Sequence, residues 1–159
     1  MITAKQILFL LVCQELISCF SVFLNYIQEL ALFEKAPEEV IATEETLLKW
    51  GFAENPLFVS WVAEMEGEVV ALALCYTRYS TWKGPVLYLE DLVVTENARS
   101  QGIGKALFEQ CIAYAKSQNY SRMVWQVLDW NQPAIEFYQK YQTSFEGEWL
   151  NAHINFPHD

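Results

Sequence analysis

The sequence predicts a mixed-sheet α/β (α+β) domain, a largely antiparallel central sheet flanked by helices. Three observations predict it. Apolar runs of strand length follow one another from Leu57 to Val94, separated by short turn-forming stretches. The apolar period then switches to that of a helix at Ile103. Beyond it, strand-like and helix-like runs alternate to the end of the chain. With 159 residues, 53% of them apolar, the chain has the material for one core and is read as a single domain, 1–159.

The first run, "ILFLLVCQELISCFSVFLNYIQELALFEK", is strongly apolar but interrupted by Gln14, Glu15 and Asn25. It is not the clean stretch of about 20 residues that a membrane span needs. Nor does a small-residue cleavage site follow the apolar run after Lys5, as an export signal requires. It reads as a long, mostly buried helix ending near Lys35, ahead of Pro37. "TEETLLKWGF" starts a short helix, with Thr43 and Thr46 as cap chemistry and Gly51 as its stop. "LFVSWVAEMEGEVVALALCYT" reads as two strands turned at Glu66-Gly67, the second almost wholly apolar from Val69 to Tyr76 and so central. "STWKGP" is a loop and "VLYLEDLVV" a third strand.

From Ile103 one helical face carries Ala106, Leu107, Cys111, Tyr114 and Ala115, while Lys105, Glu109 and Lys116 lie elsewhere. "RMVWQVL" is a fourth strand, "DWNQPAIEFYQKY" a helix capped by Asn131, and "EWLNAHINF" a last strand.

Composition excludes some functions. Twenty acidic side chains against ten basic ones leave a net charge of −10, which argues against nucleic acid and suits a cationic substrate. Cys13, Cys19, Cys75 and Cys111 are scattered through apolar surroundings, with no CxxC pair. His153 and His158 have no ligand partners at useful spacing. No metal is therefore expected, and the cysteines read as free thiols in a reducing cytoplasm.

In "RSQGIGKAL", Gly102 and Gly104 stand between a strand and a helix start. First-turn N–H groups of a helix lack intrahelical acceptors and face anions at the positive end of the dipole. Glycine lets a phosphate reach that backbone. Gln101 to Lys105 can thus cradle a pyrophosphate, with Arg99 and Lys105 adding charge; an ordinary glycine turn is the other reading of the spacing. Along "VLYLEDLVV", strict alternation puts Val86, Tyr88, Glu90, Leu92 and Val94 on one face and Leu87, Leu89, Asp91 and Val93 on the other. A carboxylate in such an apolar strand has a purpose or a partner, or else lies exposed on a solvated face of the sheet.

"RSQGIG" matches the R/Q-x-x-G-x-G/A pattern of the GNAT acetyltransferases. Taken with "STWKGPVLYLEDLVV" and "VLDWNQPAIEFYQK", it resembles the diamine acetyltransferase branch, the spermidine/spermine type. "STWKG" and "VLDWNQ" lean toward its thialysine-acetylating relatives, and the resemblance runs from about Tyr26 to Tyr141. It implies acetyl transfer from acetyl-CoA, a cosubstrate, to a small primary amine, by a homodimer. The backbone of Leu92, Val93 and Val94 is then expected to pair with the pantetheine arm. Arg99, Ser100, Gln101, Gly102, Ile103, Gly104 and Lys105 hold the diphosphate; Asn131, Pro133 and Ala134 add coenzyme contacts. Glu90 becomes the base and amine contact, and Tyr138 the acid for the leaving thiolate. Phe33, Glu34, Trp82 and Glu148 line the amine pocket, while Asp91 is a structural acceptor.

The need for a base follows from the acceptor. A lysine-like amine titrates near 10.4, so stripping its proton at neutral pH costs roughly 4–5 kcal/mol. The chain departs from the family pattern in three places. A first strand fits its N-terminal residues poorly, Ser100 stands where glycine is common, and Gln142-Thr143 stand for the usual Gly-Ala. Thr81 stands where polyamine members carry an acid, which favours a shorter amine or a thialysine-like amino acid. Two readings stay open beside this one: a non-catalytic acyl-CoA-binding relative, and an acetyltransferase of peptide or protein N-termini.

Overall fold

The computed structural model describes residues 10–12 and 20–156. The expectations for residues 1–9 and 13–19, for Cys13 and Cys19, and for His158 lie outside the described residues. The chain forms two compact units, Met1–Trp125 and Gln126–Asp159.

The first unit is a sheet with helices on both faces. Strands β1 (Leu10–Val12), β2 (Val59–Met65), β3 (Glu68–Ser80), β4 (Gly84–Val94) and β5 (Met123–Val124) lie side by side in chain order. The first four pair antiparallel, and β5 joins β4 in parallel. Helices α1 (Phe20–Phe33) and α2 (Glu44–Gly51) precede β2, and α3 (Ile103–Ser117) connects β4 to β5. A parallel neighbour demands such a crossover, whereas the antiparallel strands need only turns.

Local chemistry explains the boundaries. Thr43 and Thr46 form a capping box at α2: the Thr46 N–H donates to Thr43 Oγ1 (3.2 Å), and the Thr43 N–H to Thr46 Oγ1 (2.8 Å). Glu44 and Glu45 at its start and Lys49 at its end suit the helix dipole. At Glu66-Gly67 both residues have positive φ, as a two-residue hairpin turn requires. α1 and α3 end alike. The Ala36 N–H reaches Ala31 O and the Tyr120 N–H reaches Ala115 O, across left-handed residues Lys35 and Asn119.

Phe23, Tyr26, Leu47, Val62, Leu72, Leu74 and Val93 form the core between the sheet and the α1–α2 side. On the opposite face α3 packs on β2, β3 and β4. There Trp61 meets Tyr114 edge-on, and the Cys75 and Cys111 sulfurs lie 3.7 Å apart as buried free thiols.

Three sequence expectations are corrected. The N-terminal apolar run is not one helix, because Leu10–Val12 form a strand against Trp61–Ala63 before α1 begins at Phe20. A first strand therefore exists, where the sequence made one doubtful. A strongly apolar run serves a buried strand as well as a buried helix, so periodicity alone could not divide it. The fourth strand shrinks from "RMVWQVL" to Met123–Val124. "EWLNAHINF" forms no strand: residues 148–156 pair with no ladder, and Trp149, Leu150 and Ile154 lie exposed. A strand exists only beside a neighbour whose N–H and C=O groups it can meet.

The second unit contains α4 (Gln132–Gln139). Asn131 caps it as expected, its Oδ1 accepting from the Ala134 N–H (3.3 Å), with Pro133 in the first turn. Past the helix, Gln142 takes a left-handed φ of 57°, and Thr143 Oγ1 donates to Tyr138 O (2.7 Å). The chain thus turns here without a glycine.

Candidate active site

The phosphate-cradle sequence lies at the mouth of α3. Gly102 is the N-cap residue with φ 82°, and no side chain caps the first turn. The N–H groups of Ile103, Gly104 and Lys105 thus have neither an intrahelical nor a side-chain acceptor at that end. At Gly102 the requirement is dihedral, since a Cβ would meet nothing within 4 Å; at Gly104 a Cβ would lie 3.4 Å from the Val94 side chain, an ordinary van der Waals contact.

Ser100 occupies the left-handed region as well, at φ 61°. That conformation costs a residue with a Cβ roughly 1–2 kcal/mol. Replacing Ser100 with Gly is expected to stabilise the fold by about 0.5–1 kcal/mol after the added freedom of the unfolded chain is counted. Equilibrium urea unfolding measures it; a variant less stable than the parent contradicts the account.

Arg99 is held rather than free. Its Nε donates to Val94 O (2.9 Å), its Nη2 lies 3.6 Å from Glu29 Oε1, and its guanidinium sits 5.9 Å from the Phe33 ring centre. It therefore ties the end of β4 to α1 as well as bringing charge to the turn. Lys105 pairs with Glu109 along α3, both exposed.

The β4–β5 pairing ends at Tyr88 and Val124. β4 continues through Leu89–Val94 with β3 as its sheet partner. On the β5 side, Leu92, Val93 and Val94 thus have no strand partner among the described residues and form an open backbone edge leading to the α3 mouth.

Glu90 stands where this edge begins, and its setting corrects the alternation read from sequence. In the register, Cys75 faces Leu89 and Leu74 faces Asp91, so Glu90 is the extra residue of a β-bulge. The bulge reverses the faces beyond it. Asp91 and Val93 join Tyr88 and Val86 on the α1 side, while Leu92 and Val94 join Leu87 and Leu89 on the α3 side. The exposed Glu90 carboxylate and the half-buried Asp91 consequently do not point to opposite faces in the way strict alternation demands.

The bulge gathers a titratable cluster. Burial first, and then the nearby Glu90 charge, push the Tyr76 phenol up to about 12. Tyr76 and Tyr88 stack 5.0 Å apart, and Tyr88 is raised by burial and then by Glu90. Asp91 is pushed up to about 7, by burial first, then by the Glu90 and Glu34 charges. Glu34 is itself raised by partial burial. Sequence reading treated Asp91 only as a structural acceptor and omitted Tyr76 and Tyr88. The adjacent acids in "LED" were the available signal, and the bulge that joins them to both tyrosines was not visible.

Of the other candidates, Phe33 lies against Arg99 beside Glu34 at the end of α1. Trp82 is at the β3–β4 hairpin tip, 88% exposed. In the second unit Tyr138 is buried on α4, its ring edge-on to Phe137, and Glu148 is exposed. Asn131 spends its side-chain oxygen on the helix cap. Among the described residues no group of three or more His, Cys, Asp or Glu is arranged to hold a metal, and no helix is long and apolar enough to cross a membrane.

Comparisons with known proteins bear on the chain as a whole. A sequence model of the acetyltransferase (GNAT) family matches residues 23–142, which run through both units. The chain belongs to this acetyltransferase family. Thialysine N-epsilon-acetyltransferase of Bos taurus is 40% identical over 124 residues, covering 73% of this chain and 73% of the bovine protein. The enzyme of that name from Caenorhabditis elegans is 36% identical over 115 residues, covering 72% and 71%. In fold, an aminoglycoside acetyltransferase from an uncultured soil metagenomic sample superposes with a TM-score of 0.70 at 21% identity, covering 87% of this chain and 90% of the other.

Proposed function

We propose that this acetyltransferase moves the acetyl group of acetyl-CoA to the primary amine of a small molecule, a short diamine or a thialysine-like amino acid. The observation that carries the reading is the bulged Glu90 at the start of an open β4 edge that leads to the uncapped N-terminus of α3. The likeness to thialysine acetyltransferases supports the acceptor class.

The residues suit the cosubstrate. A diphosphate fits backbone N–H groups at a helix mouth made approachable by Gly102 and Gly104. An extended amide-bearing arm fits an unpaired strand edge as an added strand would. Acetyl-CoA supplies an activated acyl group as its thioester.

This chain's own contribution is orientation and proton transfer. Glu90 accepts the proton of the incoming ammonium, directly or through water, which offsets much of the roughly 4–5 kcal/mol of deprotonation. A backbone N–H on the Leu92–Val94 edge donates to the acyl oxygen as negative charge gathers there. On the resemblance of "NQPAIEFY", Tyr138 returns a proton to the leaving thiolate. Phe33, Glu34, Trp82 and Glu148 are assigned to the amine, and Asn131, Pro133 and Ala134 to the coenzyme, on the same ground.

We further propose that both units serve one domain and that the protein works in the cytoplasm as a homodimer. Buried free thiols at Cys75 and Cys111 suit a reducing compartment. Exposed Trp149, Leu150, Ile154 and Phe156 supply apolar surface for a second copy.

A thiol-release assay with acetyl-CoA and a panel of diamines, thialysine and lysine analogues tests the reaction. Amine-dependent release of free coenzyme A is expected. Release no faster than spontaneous hydrolysis across the panel overturns it.

A further inference from the structure

An open cavity of about 260 Å³ lies at the β3–β4 hairpin, away from the helix mouth. Arg78 and Arg122 line it, with Ser80, Thr81 and Trp82 around the rim and Val86 and Val124 contributing apolar walls. Two arginines in one cavity stand out in a chain with twice as many acidic as basic side chains. Among the described residues neither guanidinium has a carboxylate partner. Arg78 leans over the Tyr88 ring, 6.0 Å from its centre. Arg122 is fixed at the start of β5, its carbonyl accepting the Leu87 N–H (3.0 Å).

The register relates this cavity to the carboxylates. Arg78 pairs with Val86, on the face that carries Tyr76, Tyr88 and, past the bulge, Asp91. Val86 and Glu90 are four residues apart, about 14 Å along a strand. Stacked Tyr76 and Tyr88 form the floor between them. The face is therefore bipolar, with carboxylates where the amine is to react and guanidinium groups at the far end. An arginine's long, flexible side chain reaches back across part of that distance.

Resting on the amine-acetylation reading, we propose that Arg78 and Arg122 bind the α-carboxylate of an amino acid whose side-chain amine is acetylated at the Glu90 end. Guanidinium groups meet carboxylates through charge-assisted, often bidentate hydrogen bonds. A diamine of equal length brings a second cation to the same place and is repelled. The pair thus selects amino acids over their decarboxylated counterparts by attraction and repulsion together.

The experiment compares substrates that differ only by that carboxylate: lysine with cadaverine, ornithine with putrescine, and thialysine with its decarboxylated diamine. Thiol release gives kcat/KM for each. The amino acid of at least one pair is expected to lead by about tenfold or more. In the Arg78→Gln/Arg122→Gln double variant the ratio is expected to fall toward unity through a higher KM for the amino acid, with partial recovery in the Arg→Lys pair. Equal or better use of every diamine by the parent overturns the proposal and requires no variant to fold. So does a ratio that survives in a double variant with the parent's thermal unfolding, or a rise in the KM for acetyl-CoA in its place. Thiol release from none of the amines overturns the acetylation reading and this proposal with it, which separates the two failures.

Discussion

Replacing Glu90 with Gln is expected to lower kcat about 10²–10³-fold at pH 7, the range of a lost general base. The substitution keeps the polarity and the length of the side chain, so the bulge and its stacked tyrosines have no reason to move. What disappears is the ability to hold the amine's proton. The KM for acetyl-CoA should stay near the parent value, because the helix mouth and the β4 edge are untouched. The deficit should also shrink as pH rises toward the amine's own pKa of about 10.4, where solvent has removed the proton already. Steady-state thiol release from pH 6.5 to 10 distinguishes this from a folding defect, which no rise in pH repairs. A variant keeping more than half the parent's kcat at pH 7 removes Glu90 from the chemistry.

How far the sequence revealed this arrangement depends on the range of the interactions involved. The cap of α2, the hairpin at Glu66-Gly67 and the Asn131 cap were legible because each is decided by residues within four positions of one another. The α3 mouth was legible for the same reason, with Gly102 announcing a left-handed dihedral. The bulge at Glu90 was not. It is a property of the β3–β4 register, and nothing within "VLYLEDLVV" says that one residue will be left over. Missing it exchanged the faces of Asp91 and Leu92 and hid the grouping of Asp91, Glu34 and the two tyrosines. The N-terminal run failed by a related route, since Leu10–Val12 become a strand only because β2 offers an edge. The tail failed conversely, with a strand-like composition and no ladder pairing.

The same bulge makes Asp91 a measurable liability to stability. An unfolded Asp titrates near 3.9, whereas in the fold burial and the charges of Glu90 and Glu34 push Asp91 up to about 7. Between those values the unfolded chain has released this proton and the native one still binds it. The native state thus binds more protons, and the contribution of Asp91 to stability falls as pH rises through that window. It is fully favourable below pH 4 and fully lost above about pH 7. About three units at 1.36 kcal/mol each set a ceiling near 4 kcal/mol. Asp91→Asn removes the titration while keeping the shape. The variant is expected to exceed the parent by about 1–2 kcal/mol at pH 5 and by roughly 3–4 kcal/mol at pH 8. Urea unfolding of both proteins at the two pH values provides the comparison, and taking the difference cancels every other group that titrates alike in each. The parent gaining on the variant between pH 5 and pH 8 would mean that Asp91 is held as a favourably paired anion. A fold that keeps so costly a carboxyl beside Glu90 gives up stability at neutral pH for a more basic carboxylate near the place where an ammonium is to be received.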